Sequence, residues 1–286
     1  MYTIRHTNFE KMKYLITYGD NDYIKSRERL KKEAESLNIF DKVIAYGSED
    51  LPEEFKKKTI FKHKRGSGLW VWKPYLIRKT LEQMNDGDIL VYVDSGCNLY
   101  KSTQWNRYFS ILSTRYDMLA FKIACKCGAY TKKSVLEYFN QIIGPYWKNF
   151  FQIAGGILFI KKSPHSTFFL KEWENLCTEN NLCDVTQEEK AIQLPEFIEH
   201  RHDQSILSGL IYAFTKRIKI LPQDFEGRRF GQAICASRCN DKEQKRTMPS
   251  RGWGKHHITR PIRLIIEHIE YLYWEFKNQY YQKSHP

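Results

Sequence analysis

The sequence predicts an α/β protein: an open, mostly parallel sheet flanked by helices, with a C-terminal helical extension. Three observations predict it. Short apolar runs recur along the chain, the first ones closed by Gly or Asp. Between them lie stretches with apolar residues at helical spacing. One run, Ile89-Leu90-Val91-Tyr92-Val93, is apolar throughout, as a strand covered on both faces must be. Strands alternating with helices imply parallel crossovers, and such sheets place ligands outside the carboxyl ends of their strands.

Taken in order, Lys13 to Tyr18 reads as the first strand, stopped by Gly19-Asp20. Ile24, Leu30, Ala34 and Leu37 space a helix after it. Lys42 to Tyr46 is the second strand, closed by Gly47-Ser48. Pro74, a favoured first-turn residue, opens a helix over Tyr75 to Met84. The Asp86-Gly87-Asp88 turn leads into the strand Ile89 to Val93. Met118 to Phe121 is another strand, and Thr131 caps a short helix. Ile157 to Ile160 is a strand again, and Ser163-Pro164 opens the next helix. His202 to Ala213 reads as helix and Ile218 to Leu221 as the last strand. The composition shifts near residue 222, which divides a catalytic domain over 13–221 from a basic loop and C-terminal helix over 222–286. That last helix carries Ile262, Ile265, Ile266, Ile269, Leu272, Tyr273 and Phe276 on one face. Its acids and bases balance, so the expectation is a helix docked on the core rather than one lying in a membrane surface.

With 286 residues, 42% of them hydrophobic, the chain is long enough for a large core. The 15% of aromatic residues are assigned mainly to core filling. No apolar run approaches the ~20 residues that cross a bilayer, and Met1 to Met12 is polar, unlike a signal peptide. Seven Cys lack zinc spacing, and Cys125-Lys126-Cys127 is too tight for a zinc pair. Reduced thiols in the cytoplasm are expected. The net charge is +13, gathered in runs without acids over Phe55 to Thr80 and Gln244 to Arg260. Such runs suit polyanions, phosphates or an anionic membrane face.

Five stretches carry chemistry. Asp94 directly follows the fully apolar strand, in Val93-Asp94-Ser95-Gly96-Cys97-Asn98. A carboxylate there can hold a divalent cation together with phosphate oxygens, or simply cap a turn. Arg65-Gly66-Ser67-Gly68-Leu69-Trp70-Val71-Trp72-Lys73-Pro74 offers glycines for close backbone approach and Lys73 at a helix start. Gln152-Ile153-Ala154-Gly155-Gly156 precedes a strand; the glycine pair lets a ligand approach or makes a bulge, and Gln152 can bond sugar hydroxyls. Asp203-Gln204 opens a helix, as a cap or as groups near an anomeric carbon. Trp253-Gly254-Lys255-His256-His257 offers ammonium and imidazole.

As a set, spanning Tyr14 to His257, these stretches resemble GT-A glycosyltransferases, in particular bacterial polysaccharide and lipopolysaccharide transferases. The Asp-Gln helix and late histidine are also similar to glycosyltransferase family eight, whose members retain anomeric configuration. The resemblance implies a nucleotide diphosphate sugar as donor, a UDP-sugar first, and a capsule, O-antigen or lipopolysaccharide acceptor, glycan or lipid-linked. It implies Asp203 and Gln204 as catalytic residues. It implies donor contacts from Thr17, Tyr18, Lys73, Asp94, Gly96, Gln152, Gly155, Gly156 and Lys255. A Mn²⁺ or Mg²⁺ ion would rest on Asp94 and His257, and the protein would work in the cytoplasm, peripherally at the inner face of the membrane. One departure stands out. The family's Asp-x-Asp reads Asp94-Ser95-Gly96, so the second carboxylate is missing. Asn98 or His257 could supply a donor in its place, or Lys73 and Lys255 could replace the cation's charge. The alternative reading is a nucleic-acid-binding or nucleotidyl-transfer protein, for which no module signature and no second metal-binding carboxylate is found. A non-catalytic α/β binding protein is the third.

Overall fold

A computed structural model describes residues 11–180, 182–222, 225, 231–239 and seven positions between 265 and 277 of a C-terminal helix. The chain order is β1 (Lys13–Tyr18), α1 (Ile24–Ser36), β2 (Lys42–Tyr46), α2 (Trp72–Glu82), β3 (Ile89–Val93), β4 (Asn98–Leu99), α3 (Gln104–Leu112) and β5 (Met118–Lys126). It continues with α4 (Lys133–Ile143), β6 (Phe151–Ile153), β7 (Ile157–Lys161), α5 (Pro164–Thr178), α6 (His202–Ala213), β8 (Ile218–Pro222) and β9 (Ile234–Cys235). Short helical turns fill several connections.

Seven strands form one sheet in the order β2-β1-β3-β7-β5-β6, with β8 on the other side of β5. β1 pairs in parallel with β2 and β3. β7 is antiparallel to both β3 and β5, and β6 is antiparallel to β5. The sheet is therefore mixed, with β1, β2, β3, β5 and β8 running one way and β6 and β7 against them. The reversal has a local cause. After β5 the chain makes a helical excursion over residues 127–149 at the sheet's edge and returns beside the strand it left, which needs no crossover.

β3 is buried at all five positions, as its unbroken apolar run requires. Its alternating side chains divide the core: Leu90 and Tyr92 face one apolar cluster with Trp72, Trp147 and Trp173, while Val91 and Val93 face another with Trp105, Phe121 and Phe159. Ser163 caps α5 and Pro164 takes its first turn, as expected. Thr131 does not cap α4; that place belongs to Lys132, and Thr131 is buried, accepting a hydrogen bond from Gln152 instead. Past residue 222, Phe225, Ala233 and Ile234 join the second cluster, and β9 pairs with β4. The described positions of the C-terminal helix differ from the docking expected. Ile265, Ile266, Ile269, Leu272, Tyr273 and Phe276 are 47–65% exposed, so that apolar face is open to solvent there.

Candidate active site

The sequence-predicted residues that the structure describes gather around the carboxyl edge of β3. Asp94 follows β3, and its backbone N–H donates to the Gly156 carbonyl at 2.8 Å. Gly155 and Gly156 form the break between β6 and β7, which lie end to end along the same side of β5. The break needs glycine. A Cβ on Gly156 would stand 2.5 Å from Asp94 Oδ2, and one on Gly155 3.2 Å from Gln204 Cβ. The carboxylate thus lies flat against a backbone stripped of side chains.

Lys73 projects into this corner from α2 and is almost fully buried. Its ammonium donates to the Gly155 carbonyl at 3.0 Å and stands 3.4 Å from Asp94 Oδ1 and 3.2 Å from Asp203 Oδ2. Burial alone would depress the lysine, but Asp203 and Asp94 outweigh it and raise its affinity for the proton. The ammonium stays charged. The turn before α2 is unusual: Gly66, Ser67, Gly68, Leu69 and Trp70 all have positive φ, between 49° and 91°. Left-handed backbone costs about 1–2 kcal/mol at each non-glycine. Trp72 Nε1 donating to Gly66 O at 2.9 Å, and Trp72 stacking on Tyr18 at 3.9 Å, hold it in place. Gly66 and Gly68 therefore serve a left-handed turn that delivers Lys73.

Asp203 lies in the first turn of α6, not at its cap; Arg201 is the capping residue. Its carboxylate is buried, and burial raises its pKa to about 6, with Lys73 pulling it down and Asp94 pushing it up. Oδ2 meets the Lys73 charge but no aligned hydrogen-bond donor. Trp173 Nε1 donates to the Asp203 carbonyl at 3.0 Å, fixing the start of the helix on α5. Gln204 accepts from Gly155 N at 3.2 Å and donates to Gln152 Oε1 at 2.6 Å. Gln152 is fully buried, and its amide nitrogen contacts Tyr130 O, Thr131 Oγ1 and Ser205 Oγ. Gln152 is thus a brace behind Gln204.

Thr17 and Tyr18 end β1 at the same edge; Thr17 Oγ1 is buried without a hydrogen-bond partner among the described residues, and Tyr18 lies under Trp72. Lys255 and His257 lie outside the described residues. Sequence reasoning missed Tyr92, whose hydroxyl donates to Asp94 Oδ1 at 2.6 Å. Its position two residues before Asp94 on one strand face was the available signal. Trp173 had none.

Asp94 Oδ1 is taken by Tyr92 and Lys73, while Oδ2 receives no hydrogen bond from the described residues, and the side chain is 42% exposed. No group of three or more His, Cys, Asp or Glu among the described residues gathers to hold a metal ion. A single open carboxylate oxygen fits a cation that is shared with substrate phosphates and water.

No protein-family model matches the chain, and no curated protein matches it. Solved structures do. The chain is similar to known glycosyltransferases. One is involved in glycosylation of the major capsid of PBCV-1, at 10% identity and a TM-score of 0.42, covering 74% of this chain and 82% of that one. An active-site mutant of LgtC matches at 14% and 0.39, covering 86% and 94%. Mouse xyloside xylosyltransferase 1 matches at 11% and 0.39, covering 73% and 72%.

Proposed function

We propose that this chain is a glycosyltransferase that moves a sugar from a nucleotide diphosphate donor, a UDP-sugar first, to a surface-glycan acceptor with retention of configuration. One observation carries the reading. A half-exposed carboxylate at the sheet's carboxyl edge is pressed on a side-chain-free backbone and locked by a buried lysine to a second carboxylate on α6.

In this reading the nucleoside lies over the end of β1, near Thr17 and Tyr18, and the diphosphate lies at Asp94. When bound, a divalent cation on Asp94 Oδ2, with His257 as the second ligand the resemblance implies, would neutralise charge on the diphosphate. Gly155 and Gly156 leave room for the sugar, while Gln204, braced by Gln152, holds a fixed amide dipole beside it. The bond from the anomeric carbon to the diphosphate breaks as the acceptor oxygen bonds to that carbon. The acceptor's proton passes to a departing phosphate oxygen. The carbon becomes cationic on the way, and the Asp203 carboxylate, held ionised by Lys73, stabilises it electrostatically. Residues 13–221 form the catalytic unit and 222–286 a basic extension, with Lys255 as a further donor contact.

The test is turnover of a panel of nucleotide sugars, with proton NMR of the product linkage. Wild type should consume one donor class and retain its anomeric configuration, and Asp94→Ala should lose about two orders of magnitude in kcat. An inverted product ends the retaining assignment; undiminished turnover in Asp94→Ala ends the site. Nucleotidyl transfer is less favoured, since two-metal chemistry needs a second open carboxylate and Asp203 is spent on Lys73.

A further inference from the structure

In the donor site read above, Asp94 stands alone where an Asp-x-Asp pattern has two carboxylates. There is little room for a second one: a Cβ on Gly96 would stand 3.2 Å from the Cys239 carbonyl oxygen and 3.4 Å from Arg238 Cα. Two carboxylates on one cation hold each other's orientation through it. A single carboxylate has no such partner, and its plane turns about the Cβ–Cγ bond unless a neighbour stops it. One neighbour is a buried cation that would draw it away from a ligand. Lys73 stands 3.4 Å from Asp94 Oδ1, farther than from Gly155 O at 3.0 Å or Asp203 Oδ2 at 3.2 Å. An Asp94 that turned freely would close on that ammonium with both oxygens.

Tyr92 stops that turn. It lies two residues earlier on the same face of β3, buried in the apolar cluster that holds Trp72 and Trp173, so its ring cannot follow a moving carboxylate. Its hydroxyl donates to Asp94 Oδ1 at 2.6 Å. A phenol keeps its proton at neutral pH and has only one to give, and a hydrogen bond onto an ionised oxygen is among the strong ones. The same ring stands beside the lysine, its centroid 5.3 Å from Lys73 Nζ. Oδ1 is therefore held from two sides by Tyr92 and Lys73. Oδ2 lies against the Gly156 backbone, 2.5 Å from where a Cβ would stand, and receives no hydrogen bond from the described residues.

We infer that Tyr92 is a positioning residue: its hydroxyl pins Asp94 Oδ1 and so keeps Oδ2 for a divalent cation shared with the donor's diphosphate. The inference rests on the donor site proposed above. Removing the partner that orients a metal-binding side chain typically costs about 10–100-fold in metal affinity. The test is calorimetry with the Mn²⁺ complex of inorganic pyrophosphate, which needs no choice of base or sugar. Tyr92→Phe should weaken its binding at least tenfold. Tyr46→Phe, which takes a buried hydroxyl from Thr80 two strands away, should bind it as wild type does. In turnover, Tyr92→Phe should need about tenfold more Mn²⁺ for half-maximal rate and regain a near wild-type rate at saturating Mn²⁺, which a merely loosened core would not allow. Wild-type affinity in Tyr92→Phe overturns the role of Tyr92 and leaves the donor site standing. So does nucleotide-sugar binding by wild type that is equal in EDTA and in Mn²⁺. Equal losses in Tyr92→Phe and Tyr46→Phe, or a rate that excess Mn²⁺ does not restore, also overturn it, since core packing would then be the cause. A wild type that binds neither the pyrophosphate complex nor any nucleotide sugar removes both readings.

Discussion

In the proposed reaction, Asp203 sets the chemistry at the scale of single residues. Its carboxyl is raised by burial to about 6, so it is ionised at neutral pH and neutral below that value. If its negative charge stabilises the sugar cation, activity must fall as pH drops through about 6. The log of kcat/KM should bend downward there, and Asp203→Asn should lower the plateau and remove the bend. A bend that survives in Asp203→Asn belongs to another group. The site residues were legible to different degrees. Asp94 could be found because it ends an apolar strand, and the Gly155-Gly156 pair because glycine before a strand signals a break. Their contact could not, because 2.8 Å between Asp94 N and Gly156 O joins residues 62 positions apart. Gln152 was read as a ligand for hydroxyls. Its full burial is set by α6 and the Tyr130-Thr131 turn, which nothing near it in sequence announces.

Elements come together through a second buried carboxylate that no sequence signal marked. Asp117 precedes β5 and is completely buried. It binds Arg217 before β8 at 2.5 and 2.9 Å, accepts from Ser163 Oγ at 2.9 Å, and meets Lys161 of β7 at 3.3 Å. One side chain thus ties β5, β7, β8 and the start of α5. Burial would raise its carboxyl, but Arg217 and Ser163 outweigh burial and hold it below the ordinary value. Its stabilising contribution is therefore present above about pH 4 and is lost as pH falls through the lowered value. Asp117→Ala should lower stability in urea unfolding near pH 7, and the gap to wild type should narrow in strong acid. A difference that is small at pH 7, or unchanged in acid, would contradict this. Most strands and the main helices were readable from period and punctuation. The direction of β6 and β7 was not, because a strand's own pattern does not say which neighbour it meets.

At the scale of the whole molecule, the sequence holds a basic tail and the described positions of the last helix an open apolar face. Five Lys and Arg and no acid lie between Gln244 and Arg260. Beyond them, the described apolar positions of the last helix are exposed, and no described helix is long and apolar enough to cross a membrane. Lipid-linked acceptors would reward attachment at a surface, and each well-placed basic residue adds about 1 kcal/mol toward anionic lipid. Flotation with anionic vesicles should carry the protein at low salt and release part of it at high salt; neutral vesicles should carry less. Absence from anionic vesicles at low salt would rule out the attachment.

In the proposed reading, the edge around Asp94 receives a nucleotide diphosphate sugar. The most direct measurement is the melting temperature of the intact chain against nucleotide sugars, with wild type and Asp94→Ala side by side. A ligand held only by the folded state raises that temperature by mass action. One class of nucleotide sugar should raise it in wild type, increasingly with concentration, and Asp94→Ala should lose most of the rise. If no nucleotide sugar moves the wild-type transition while duplex nucleic acid does, the glycosyltransferase account is contradicted.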